Sequence, residues 1–199
     1  MTLQDKLKEL RKTVLIPTVR LVGRRRPDPR GLRRGVLGVG QEGPAGGESK
    51  KIPALTLWQP FASLTALGAK GNETRSWQVS YRGPLAIHAA KRYPPELRAL
   101  AGTEPFRSAL AGAAPEDYLG MVVAVVELVD CKLITTNNIP PEPELSFGDY
   151  RAGRFMWVLR NVRRLAEPMA ARGRQGLWTW DMPANILFLE GRALRETDT

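Results

Sequence analysis

The chain has 199 residues, of which 43% are hydrophobic and 25% charged, a composition typical of a soluble globular protein with one domain of ordinary size. A single cysteine excludes a disulfide framework within the chain and favours a reducing, cytoplasmic setting. The chain contains no run of about twenty apolar residues, so we expect no membrane span. The net charge of +10 favours a polyanionic partner such as RNA or DNA.

The first fifty residues differ in composition from the rest. Residues 2–12, TLQDKLKELRK, predict a short amphipathic helix, and the Arg-, Gly- and Pro-rich segment that follows is typical of a flexible arm. Residues 1–49 hold eleven Lys and Arg against five acids. We expect a basic, disordered arm over 1–50, a domain over 51–190 and a tail over 191–199. An alternative role for the arm is that its helix docks onto a protein partner.

Beyond the arm, short strands and helices alternate. PALTLWQP predicts a strand ended by Pro60, and PFASLTALG predicts a helix closed by Gly68. GAKGNETRSW then forms a loop that runs into a strand near residues 75–78, and PLAIHAAK predicts another strand. Residues 94–114 favour helix interrupted by glycine and proline.

The second half of the domain is rich in strands. GMVVAVVELVDCKL is almost wholly apolar and predicts the central strand. Residues 135–153 predict a long surface loop, RFMWVLRNVRRL a strand pair or one bent strand, and QGLWTWDMP a final aromatic segment. About five short strands with one or two helices favour an α+β fold built as a small mixed β-barrel. No paired Cys or His ligands, Walker loop or dinucleotide fingerprint occurs, so we expect neither a metal nor a nucleotide cofactor.

The segment 68–77, which we call the charged loop, carries Lys70, Glu73 and Arg75. Alternation along the central strand places Glu127 among valines, where an unpaired carboxylate is costly. We therefore expect Glu127 to pair with Lys70 or Arg75. Such a cluster can contact a ligand, or it can be a salt-bridge network that only fixes the loop.

Four stretches, taken in order, resemble the ASCH domain, a family of PUA-related β-barrels. The family signature, Gly-x-Lys-x-x-Glu-x-Arg, occurs without departure at Gly68, Lys70, Glu73 and Arg75, and the similarity runs over residues 54–180. The resemblance implies a PUA-like fold and a cleft beside the charged loop that binds RNA or a modified nucleobase or nucleoside. The stretches are LTLWQPFASLTALGAKGNETRSW, YRGPLAIHAAK, GMVVAVVELVDC and GRFMWVLRNVRRLAEPMAARGRQGLWTW.

The resemblance also implies an enzymatic alternative. Some ASCH proteins are amidohydrolases that act on N4-acetylcytidine, and others are described as ribonucleases. In the amidohydrolase type, a loop lysine, a threonine three residues later and a central-strand glutamate act together. Lys70 and Glu127 match the lysine and the strand glutamate, but Glu73 stands at the threonine position. A carboxylate is no hydroxyl nucleophile, so Glu73 would instead orient a water, while Arg75 would hold a phosphate or a carbonyl.

Five further residues are candidates for contact with RNA. Two tryptophans flank the charged loop and can stack on bases. A glutamine before the helix can read a base edge or cap backbone, and the only histidine can line the cleft or be a satisfied structural residue. A lysine at a strand end can contact phosphate or be solvated. These residues are Trp58, Trp77, Gln59, His88 and Lys91.

Overall fold

The structure is a computed structural model that describes residues 49–189. The expected N-terminal helix, the basic arm up to residue 48 and the tail over 191–199 lie outside the described residues, and Lys50, the expected end of the arm, begins the first strand. In chain order, the elements are β1 (Lys50–Leu57), α1 (Phe61–Ala66), β2 (Asn72–Arg75), β3 (Gly83–Ala89), α2 (Pro95–Ala101), α3 (Phe106–Leu110), a 3-10 turn (Pro115–Tyr118), β4 (Met121–Leu133), a second 3-10 turn (Glu144–Phe147), β5 (Phe155–Ala170) and β6 (Leu177–Met182).

The strands form one mixed sheet in the order β2-β5-β4-β3-β1-β6. β1 and β3 run parallel, and the other neighbouring strands are antiparallel. The connection from β1 to β3 contains α1 and β2, because parallel neighbours need a long crossover. β4 lies in the interior of the sheet between β5 and β3, so its predicted central position is confirmed.

The α+β class is confirmed, but the sheet, expected as a small mixed β-barrel, is not closed in the described part of the chain. The strand order has two ends, β2 and β6. β6 pairs with β1 and so takes the edge that β2 would need to close the barrel. The sheet is nevertheless curved. Arg75 Nη2 in β2 lies 3.4 Å from the carbonyl oxygen of Thr56 in β1, although the two strands are four positions apart in the strand order.

Apolar side chains pack on both faces of the sheet. One cluster lies under α1 and contains Leu55, Leu57, Ala62, Ala66, Val79, Leu85, Ile87, Ala89, Val123, Ala124, Val126, Leu128, Trp157 and Leu159. A second cluster contains Ile52, Ala54, Ala86, Val122, Val125, Leu165 and Trp180, with Ile186 and Phe188 packed against it. Neighbouring residues of β1 and β3 alternate between the two clusters, as the pleat of a strand requires.

The strict alternation expected for β4 is wrong. The register between β4 and β5 shifts at three points, and each bulge changes the face that the following side chains occupy. The adjacent residues Val123 and Ala124 therefore share one cluster, whereas Val125 packs in the other. β5 is one strand of 16 residues, which decides between the two predictions made for it.

The crossover after β1 follows its sequence signals closely. α1 begins after Pro60. Gly68 follows α1 with φ +76°, a backbone angle that residues other than glycine rarely adopt. β2 begins at Asn72, earlier than expected, so 4 residues of the charged loop are strand. Among the described residues, no helix combines the length and apolar character that crossing a membrane requires.

Candidate functional site

Lys70 anchors the charged loop from within. Its side chain is 1% exposed, and its ammonium lies 3.0 Å from Glu73 Oε2 and donates a hydrogen bond to the carbonyl oxygen of Asn72. Its backbone N–H donates to Leu64 O at 3.1 Å, which ties the loop to α1. A buried ammonium must have an opposite charge and hydrogen-bond acceptors, and Lys70 has both.

Glu73 connects this buried lysine to an arginine at the surface. Its Oε1 lies 3.0 Å from Arg75 Nε, and the two side chains are 12% and 22% exposed. Arg75 Nε makes no hydrogen bond among the described residues, so the contact is an ion pair without good donor alignment. Arg75 also reaches the backbone of β1 through Nη2. Lys70, Glu73 and Arg75 therefore form a salt-bridge network, one of the two alternatives that the sequence left open. The network holds the partly exposed guanidinium of Arg75 next to Glu73.

Glu127 is not part of this network. Within residues 49–189, the carboxylate that pairs with both Lys70 and Arg75 is that of Glu73. Glu127 is half-buried and lies on β4. Burial, and then the charge of Glu127, raise the pKa of Tyr81. The expected pairing of Glu127 is wrong, because Glu73 already supplies the negative charge and the bulges of β4 alter which side chains share a face.

A second carboxylate holds the charged loop from outside. Glu144, in the second 3-10 turn, accepts hydrogen bonds from Gly71 N (2.7 Å) and Asn72 N (3.1 Å). The hydroxyl of Tyr150 donates to the same carboxylate at 2.8 Å, and burial, followed by the charge of Glu144, raises the pKa of Tyr150. The sequence analysis missed Glu144, since it lies 73 residues from Gly71 in a proline-rich segment with no local pattern that signals the contact.

Asp149 and Arg154 fix the outer strand of the site. Asp149 is buried, binds Arg151 through both carboxylate oxygens (2.8 and 2.7 Å) and lies 3.3 Å from Arg154 Nε. Thr74 of β2 accepts from Asp149 N at 2.9 Å and, through its carbonyl, from Arg154 at 3.4 Å. Burial lowers the pKa of Arg154, and Asp149 opposes this. The segment 135–153, expected as a surface loop, is thus partly buried against β2.

The two suspected tryptophans differ in exposure. Trp77 is 36% exposed and packs edge to face on Trp157, with 4.6 Å between ring centroids. Trp157 is fully buried, and its Nε1 donates to Trp77 O at 3.3 Å. Trp58 is half-buried. Trp77 therefore offers an anchored ring to solvent two residues after Arg75.

Gln59 is buried in the structure, whereas Lys91 is exposed. Gln59 is fully buried, accepts from Ser63 N at 3.0 Å at the start of α1 and donates to Pro115 O at 2.9 Å. Of its two expected roles, the structure shows the backbone-capping one. Lys91 is exposed after β3, where its ammonium is accessible to an anion.

His88 is a buried side chain rather than the wall of an open cleft. It is 2% exposed, and its Nε2 lies 3.1 Å from the carbonyl oxygen of Ala171. A carbonyl only accepts, so Nε2 carries the proton, and Nδ1 makes no hydrogen bond among the described residues. Burial lowers the pKa of His88 against the opposing effect of the Ala171 and Gly120 backbone.

The side chains of the predicted site differ in their access to solvent. The ammonium of Lys70 is enclosed by the loop, and Glu127 lies outside its network. Of the expected site residues, Trp77 and Lys91 are exposed, and Trp58, Arg75 and Glu127 are partly exposed. Within residues 49–189, no group of three or more His, Cys, Asp or Glu side chains is arranged to hold a metal ion.

Comparison with known proteins shows a partial similarity. No protein-family model matches the chain. Over 131 residues, 64% of its length, the chain is 29% identical to Activating signal cointegrator 1 of Homo sapiens, and it is 28% identical to the Mus musculus protein of the same name over the same extent. The match covers 22% of each relative. The chain thus spans about a fifth of the length of the curated relatives that it matches.

Proposed function

We propose that residues 51–190 are an ASCH-type domain that binds RNA, with the surface beside the charged loop as the binding site. The observation that carries this proposal is the position of Arg75, a partly exposed guanidinium whose Nε lies 3.0 Å from Glu73, which is itself paired with buried Lys70. The unbroken signature over Gly68–Arg75 and the similarity to part of Activating signal cointegrator 1 support the family assignment.

The exposed groups suit a nucleic-acid ligand. The planar fork of Arg75 can donate to a phosphate, a base edge or a carbonyl. The ring of Trp77, held on Trp157, can stack on a base, and such stacking contributes about 1–3 kcal/mol per base. A modified nucleobase would present the same two features, a π-face and a polar edge.

The distribution of charge agrees with this proposal. Residues 50–189 contain seventeen Lys and Arg against twelve Asp and Glu, so this part of the chain is basic apart from the arm. Neutralising phosphates releases counterions and makes binding fall with salt.

Salt-dependent binding of a short mixed-sequence single-stranded RNA, measured by fluorescence anisotropy, tests the proposal. We expect Arg75→Ala to weaken binding at least about tenfold, since a hydrogen bond to a charged group contributes roughly 1.5–3 kcal/mol. The affinity of Arg75→Lys should lie between those of the wild type and Arg75→Ala, because lysine keeps the charge but lacks the planar fork. Arg107→Ala, which removes an exposed guanidinium from α3, is the matched control. Absence of binding by the wild type at low salt would contradict the proposal.

The hydrolase alternative is supported less well. A catalytic lysine must reach its substrate, and Lys70 is 1% exposed and engaged by Glu73 and Asn72. Mass-spectrometric detection of products from N4-acylated cytidines and short RNA decides this alternative. Turnover that disappears in Lys70→Ala, with folding retained, would establish an enzyme.

A further inference from the structure

Four exposed cationic side chains lie on two segments that the charged loop does not include. Lys91 and Arg92 follow β3, and Arg172 and Arg174 lie between β5 and β6; all four are exposed. We call these residues the basic patch. Among residues 49–189, none of them forms an ion pair. Solvated surface cations are common, so exposure alone makes no site.

Gly120 joins the two segments of the basic patch. Its N–H donates to Ala89 O at 3.0 Å, and its carbonyl accepts from Ala171 N at 2.9 Å. The side chain of Lys91 packs beside it, since a Cβ added at Gly120 would lie 3.8 Å from Lys91 Cβ. The ends of β3 and β5 therefore meet here, and their cations share one part of the surface.

The arginine-bearing segment 171–176 lies directly on His88. A Cβ added at Gly173 would lie 2.4 Å from His88 Cε1, 2.6 Å from Nδ1 and 2.8 Å from Thr56 Oγ1, so only glycine allows this approach. The Ala171 carbonyl adds the contact to His88 Nε2 at 3.1 Å. The segment has no regular secondary structure, yet these contacts fix its position between the two arginines.

Thr56 connects this segment to the charged loop. Its hydroxyl accepts from Trp178 Nε1 at 3.1 Å, and its carbonyl accepts from Arg75 Nη2 at 3.4 Å. Thr56 is also the β1 residue opposite His88 in the parallel register. Arg75 and Gly173 thus contact the same threonine, one through its backbone and the other beside its side chain.

We propose that the basic patch is the phosphate-binding side of the RNA interface, with Arg172 and Arg174 contacting successive phosphates of a single strand. This inference rests on the proposed function and adds residues to it. Residues 168–180 contain no Asp or Glu, so no acid on this segment opposes the polyanion. Arg75 and Trp77 would contact a base, while the patch contacts the backbone without regard to sequence.

The salt dependence of binding measures the number of phosphates contacted. For a single strand, the slope of log K against log salt falls by about 0.7 for each phosphate neutralised. The variant Arg172→Ala/Arg174→Ala should therefore lower the magnitude of the slope by about 1.4. Both side chains are exposed, so the fold should be retained, and a thermal unfolding scan verifies this.

The control is Arg82→Ala/Arg107→Ala, which removes two exposed guanidinium groups whose ion-pair partners are Asp130 and Glu104. Both variants lose the same net charge, so a general electrostatic effect would change their slopes equally. A full slope in the control and a reduced slope in the patch variant is the expected result. Equal slopes would overturn this inference.

The Arg75→Ala variant separates this inference from the proposed function. If Arg75→Ala weakens binding while the patch variant matches the wild type, the proposed function stands and the patch assignment fails. If the wild-type chain binds no RNA at low salt, the proposed function fails and the patch assignment fails with it.

Discussion

Replacing Lys70 by methionine should cost the protein several kcal/mol of stability. Methionine fills most of the space of the lysine stem but removes the charge, so the buried carboxylate of Glu73 loses Lys70 and keeps the ion pair with Arg75, whose Nε is poorly aligned. Removing one partner of a buried ion pair typically costs about 3–5 kcal/mol. Because Arg75 remains 3.0 Å from the carboxylate, we expect about 3 kcal/mol.

Urea unfolding of the full chain at neutral pH measures this loss. Lys132→Met is the matched control, since Lys132 is 52% exposed and its pair with Asp130 spans 3.6 Å; it should lose less than about 1 kcal/mol. The double variant Lys70→Met/Glu73→Gln should regain part of the loss, because it removes the buried negative charge as well. A loss for Lys70→Met no larger than that of the control would refute the assignment of Lys70 as the anchor.

Three further changes test other parts of the structure. Glu144→Ala removes the acceptor of two backbone amides, so we expect a loss of about 1–3 kcal/mol and faster hydrogen exchange at Gly71 and Asn72; unchanged exchange would show that the contact is not maintained in solution. Gly173→Ala overpacks against His88 and should destabilise the protein by about 1–3 kcal/mol, and a neutral effect would contradict the close approach. Burial keeps the folded pKa of His88 below its usual 6.5, so stability should fall as pH drops below about 6.5, where the unfolded chain binds the proton and the folded chain does not. As His88 is the only histidine, His88→Gln should flatten this pH dependence, and an equal pH profile in both proteins would rule the explanation out.

Local patterns in the sequence sufficed to predict most elements of the sheet. The apolar run of β4 predicted its central position, and Pro60 and Gly68 marked the ends of α1, because these signals act within a few residues.

Contacts between distant segments were beyond sequence reasoning. The bulges in β4 depend on how it pairs with β5, so the face of Glu127 could not be read from alternation alone. Glu144 reaches the charged loop only after the segment 135–153 folds onto β2. The open strand order depends on β6 taking the free edge of β1. The pair of Lys70 and Glu73 is local, because the two residues are three positions apart. A salt-bridge network at these residues was therefore one of the alternatives that the sequence suggested.

The most direct test of RNA binding beside the charged loop is an NMR titration of the full, nitrogen-15-labelled chain with a short mixed-sequence single-stranded RNA. We expect salt-sensitive shifts at the backbone of Arg75, the indole N–H of Trp77 and the backbone of Arg172 and Arg174. The basic arm offers an internal comparison, since residues 1–49 hold eleven Lys and Arg. Shifts confined to the arm, or no shifts at low salt, would contradict a binding site on the domain.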